Sequence, residues 1–61
     1  MSPSAGYWEK ELKDATDSLK KLEQEQDEMN PLVYEDLRQK LEIEIKMLAA
    51  QLELAHQKEV N

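Results

Sequence analysis

A chain of 61 residues has room for one small domain with little interior, and the absence of Cys denies it a disulfide staple. Its fourteen acidic and eight basic side chains give a net charge of −6, which repels nucleic-acid phosphates and anionic lipid. No run of residues is apolar enough to span a bilayer, so membrane insertion is not expected either.

A single Gly, two Pro and an abundance of Leu, Glu, Lys and Gln make a helix-forming composition. Bulky residues recur at regular intervals along most of the chain, which separates it from disordered segments of similar polarity. Lack of Cys and of an apolar leader fits an intracellular, cytoplasmic setting, and the small size fits a fragment of a larger protein.

Residues 1–6 read as a lead-in and cap, in which Ser2 and Pro3 have the cap-then-proline pattern of a helix start and Gly6 weakens the first turn. A first helix is expected over residues 7–29. Trp8, Leu12, Ala15, Leu19, Leu22, Gln26 and Met29 follow one another at alternating gaps of four and three, a heptad seam in which Gln26 alone is strongly polar. Glu9 with Lys13 and Asp17 with Lys21 are placed to support the helix four residues apart. Glu23, Glu25, Asp27 and Glu28 crowd its C-terminal end, where negative charge opposes the helix dipole and frays the last turn.

The turn is expected at residues 30–33. Proline lacks an N–H and disfavours helical geometry in the residue before it, so Asn30–Pro31 marks a helix boundary. Asn30 is also a good N-cap, and Pro31 suits a first helical position, so the next helix starts at once or after a turn ending near Val33. We place that helix at residues 34–58, with a frayed tail at 59–61. Tyr34, Leu37, Leu41, Ile45, Leu48, Leu52 and Ala55 form its seam, with Asp36–Lys40 and Glu42–Lys46 as supporting pairs.

Folding back at Asn30–Pro31 brings the two seams into register: Met29 meets Tyr34, Gln26 meets Leu37, Leu22 meets Leu41, Leu19 meets Ile45, Ala15 meets Leu48, Leu12 meets Leu52 and Trp8 meets Ala55. Large residues oppose small ones at two of these layers, as interlocking cores require. The expected fold is therefore all-α, an antiparallel two-helix coiled-coil hairpin able to dimerise into a four-helix bundle. The competing arrangement is one long helix kinked at Pro31 that pairs in parallel with a second copy.

The second helix carries more apolar surface than one seam uses. Ile43, Met47, Ala50 and Leu54 repeat at gaps of four, three and four on the face opposite Leu41, Ile45, Leu48 and Leu52. A helix apolar on two faces wants two neighbours. These four residues are the candidate partner-binding surface, for a second copy or for a different protein.

Chemistry is sparse by comparison. There is no Cys nucleophile and no Gly-rich phosphate loop, and His56 has no second His or Cys at ligand spacing; no metal or cofactor is expected, and the chain reads as a non-enzyme. Tyr34-Glu35-Asp36-Leu37 resembles a tyrosine signalling motif, and Leu37, Leu41, Ile43 and Ile45 have the spacing of a nuclear export signal. Positions on a helix seam explain both sets. The function expected is a coiled-coil scaffold or adaptor segment, with an effector-type hairpin that binds a signalling protein such as a small GTPase as the rival reading.

Overall fold

The computed structural model describes residues 4–60, and side chains for residues 4–58. The chain forms two helices, α1 at Ala5–Gln24 and α2 at Pro31–Val60, joined through a single 3-10 turn at Gln26–Glu28. The helices pack against each other as a hairpin, which removes the single kinked helix. Its outline of 47 × 17 × 14 Å is set by α2, whose 30 residues rise about 45 Å at 1.5 Å each. A radius of gyration of 14.2 Å exceeds the roughly 10.5 Å of a globule of this length, so the molecule is a rod with no enclosed centre.

The helix bounds differ from the expected ones, for reasons local to each end. α1 begins after Ser4, whose extended backbone (ψ 167°) is followed by Ala5, and whose carbonyl accepts the N–H groups of Tyr7 and Trp8 at 3.1 and 3.4 Å. Gly6 is an ordinary helical residue of that turn, and the cap proposed at Ser2 and Pro3 lies outside the described residues. At the far end α1 stops at Gln24 rather than at residue 29. Glu25, at φ −93° and ψ 4°, closes it by sharing its N–H between the carbonyls of Lys21 and Leu22, both at 3.1 Å. The acidic run from Glu23 to Glu28 cannot complement the negative end of a helix, and tighter bonds from Glu28 to Glu25 and Met29 to Gln26 take over.

α2 starts at Pro31, three residues earlier than the expected residue 34. Asn30 is its N-cap: the side-chain Oδ1 accepts the Leu32 N–H at 2.8 Å, and the Asn30 carbonyl accepts the first intrahelical bond from Tyr34 at 2.9 Å. Pro31 occupies the first helical position, where its missing N–H costs nothing. The helix then runs through residues 59 and 60, where fraying was expected; Asn61 lies outside the described residues. Removing the cap with Asn30→Ala should destabilise the hairpin by about 1 kcal/mol, and Asn30→Ser should recover most of it. Thermal melting followed by circular dichroism checks this, through a midpoint lowered by roughly 4 to 8 °C for a domain of this size.

Burial follows the seams. Ala15 and Leu22, at 5 and 8 % exposure, are the best-covered residues of α1's seam, and Ala5 is also buried one turn before Trp8. Trp8, Leu12 and Leu19 from α1, Met29 from the connection, and Tyr34, Leu41, Ile45, Leu48, Leu52 and Ala55 from α2 are half-buried. Leu37 departs from the expected core and is 38 % exposed. Its intended neighbour, Gln26, belongs to the exposed 3-10 turn because α1 has already ended, so no apolar helix face lies across from Leu37.

Candidate interaction surface

The outer face of α2 is built by helical periodicity alone. At about 100° per residue, Ile43, Met47, Ala50 and Leu54 fall within a narrow arc whose centre lies opposite the Leu41, Ile45, Leu48 and Leu52 face turned to α1. Ile43, Met47 and Leu54 are 59, 64 and 50 % exposed, and Ala50 is exposed beside them. Apolar residues thus lie on two opposite sides of α2, whereas α1 is apolar on one side only. Lys40 and Gln57 occupy the next positions of the same stripe and close it at both ends with polar groups.

A second exposed apolar group sits at the start of α2. Leu32, 81 % exposed, and Val33, 50 % exposed, were assigned to a turn by sequence and are instead first-turn helical residues. Asp36 and Lys40 separate Leu32 from the stripe and pair with each other at 3.1 Å. The stripe is consequently confined to residues 43–54.

Charged side chains organise the rest of α2. Arg38 links Glu35, one turn back, to Glu42, one turn on, with its Nη1 donating to Glu42 Oε1 at 2.7 Å and its Nε to Glu35 Oε2 at 3.3 Å. Glu42 therefore turns to Arg38 rather than to the expected Lys46, while the expected Asp36–Lys40 pair forms. Hydrogen bonding from Arg38 holds the Glu35 carboxyl below the usual glutamate range, with partial burial opposing it and the Arg38 charge assisting. The same bond pushes Arg38 further up.

Glu35 also lines a half-open recess of about 400 Å³ at the turn, together with Gln26, Asp27, Met29, Pro31 and Tyr34. A general acid needs a raised pKa, so a carboxylate held low by a guanidinium is a poor proton donor near neutrality. Tyr34 is half-buried in helical backbone, whereas a tyrosine signalling motif is read from an extended chain.

At the open end of the hairpin, Trp8 packs edge-on against the exposed Tyr7, with ring centroids 5.0 Å apart at 81°. Next to it, Glu9 Oε1 lies 3.3 Å from His56 Nε2, a contact joining α1 to α2. Sequence reasoning placed Glu9 with Lys13 and gave His56 no partner. The signal was present, since the register that sets Trp8 against Ala55 also sets Glu9 beside His56. Among the described residues no three His, Cys, Asp or Glu side chains are grouped to hold a metal ion, and no helix is long and apolar enough to cross a membrane. No protein-family model matches the chain, and no curated protein or solved structure matches it.

Proposed function

We propose that this chain is a non-enzymatic helical interaction module, a scaffold or adaptor segment that docks another helix along the outer face of α2. The observation that carries the reading is the continuous row of Ile43, Met47, Ala50 and Leu54 pointing away from α1, spaced as a helix face, whereas the other exposed apolar residues, Tyr7, Leu32, Val33 and Leu37, form no such row. An apolar stripe of helical spacing flanked by charged residues is the form of surface that a partner helix reads through regularly spaced anchors. Met47 gives such a contact an adaptable side chain. The half-open recess at the turn offers no enclosed site, and Glu35 within it, held ionised by Arg38, is unsuited to act as a general acid. An intracellular setting belongs to the same proposal and rests on the chain's composition.

The test is the double variant Ile43→Lys with Met47→Lys. Both side chains face away from α1, so helix content by circular dichroism should stay as in the parent chain. Association measured by sedimentation should weaken by roughly tenfold to a hundredfold, because two apolar contacts are lost and two cations are placed in the contact. Loss of helicity at high dilution would instead assign Ile43 and Met47 to the intramolecular core and remove the docking face.

A further inference from the structure

The outer face of α2 is laid out to match itself, and the geometry points to a second copy of this chain, lying antiparallel along α2, as its occupant. The inference rests on the docking role proposed above and names the partner of that surface. Turned end for end, the stripe sets Ile43 against Leu54 of the second copy and Met47 against Ala50, and the two-fold repeats both layers in reverse. Each large residue thereby meets a complementary one: two branched side chains of similar size at the outer layers, and a long chain over a small one at the inner layers.

Charge supports the same register. Two chains of net charge −6 repel at a distance, so a stable contact has to supply opposite charges locally. Lys46 and Glu53 lie on one flank of the stripe, a heptad apart, and neither makes an ion pair with another described residue. Antiparallel pairing brings Lys46 of each chain to Glu53 of the other, twice per dimer. On the opposite flank Glu44 meets Gln51, which avoids two facing carboxylates. Parallel pairing would instead stack Lys40 on Lys40, Asp36 on Asp36 and Ala50 on Ala50, two repulsive layers and one gap.

The two apolar faces of α2 point in opposite directions, and this fixes the shape of the assembly. In a closed four-helix bundle each helix meets its two neighbours at roughly a right angle, whereas here α1 and the second copy lie on opposite sides of α2. The dimer is therefore a flat layer in the order α1, α2, α2, α1, two hairpins wide and one helix thick.

Two measurements on the full chain test this. Sedimentation equilibrium of Lys46→Glu and of Glu53→Lys should show dimerisation roughly tenfold weaker in each, and the charge-swapped Lys46→Glu/Glu53→Lys chain should return close to the parent value. In parallel register Lys46 faces Gln51 and Glu53 faces Lys58, so the swap would not restore binding, and that result overturns the proposal. Because the chain has no Cys, register can also be read by oxidation. A mixture of Ile43→Cys and Leu54→Cys chains should cross-link while neither alone does, because two copies of Ile43 lie about 16 Å apart along antiparallel helices, beyond disulfide reach. Cross-linking of Ile43→Cys with itself would overturn the antiparallel register and leave helix docking on the stripe intact. A parent chain that stays monomeric to millimolar concentration would overturn the second copy as occupant, whereas the docking face itself is lost only if the Ile43→Lys/Met47→Lys chain unfolds.

Discussion

Leu22→Asp should abolish the cooperative thermal transition of the hairpin at room temperature. Leu22 is 8 % exposed, the best-covered large side chain among the described residues, and lies in the last full turns of α1, on the seam where Leu41 is its expected neighbour. Replacing it forfeits about 1.5 to 3 kcal/mol of apolar burial, and an unpaired carboxylate in its place adds a penalty of similar size or takes up a proton. A core of this length supplies roughly 3 to 5 kcal/mol in all, so the combined loss exhausts it. Residual helix is expected within α2, where Arg38 bridges Glu35 and Glu42 and Lys40 pairs with Asp36, so mean helix signal alone is a poor reporter. Trp8 fluorescence is the better one, because its half-buried ring stands on α1's seam, next to the Glu9–His56 contact that joins α1 to α2. An unchanged Trp8 emission with a sharp melt would take Leu22 out of the core.

The hairpin itself was legible because two signals agree: a proline at the midpoint and two seams that meet when the chain folds there. Asn30 and Pro31 perform the cap and first-turn roles their chemistry suggests, and the Glu9–His56 contact lies beside the expected Trp8–Ala55 layer. The end of α1 was less legible. A heptad seam continues formally through Gln26 to Met29, and periodicity does not weigh that continuation against four carboxylates facing the negative end of a helix dipole. Once α1 stops at Gln24, Leu37 loses its expected cover, and Leu32 and Val33 become exposed helix where a turn was expected. The stripe of Ile43, Met47, Ala50 and Leu54 was visible as surplus, since four apolar positions lay where the intramolecular seam had no use for them. Its angle to that seam was visible too, and the proposed flat layer in place of a bundle rests on α1 covering the opposite face.

The same substitution at two alanines separates these faces. Ala15, 5 % exposed, is buried on α1's seam, where Leu48 is its expected neighbour, whereas Ala50 stands exposed on the outer stripe. Ala15→Phe forces a ring into a space filled by neighbouring side chains, which costs about 1 to 3 kcal/mol in strain and displaced helix. For a domain this small that corresponds to a melting point lower by roughly 4 to 24 °C. Ala50→Phe adds its ring to solvent and should alter folding stability by no more than about 0.5 kcal/mol when measured at dilution. Its effect falls on association, because in the proposed antiparallel register the added ring would occupy the space of Met47 of the second copy. Thermal melts and sedimentation on both variants should therefore give opposite patterns: Ala15→Phe destabilised at every concentration, Ala50→Phe folded but impaired in pairing. Equal destabilisation of the two at dilution would mean that α2 buries both sides within one chain, and the outward stripe would no longer be available to any partner.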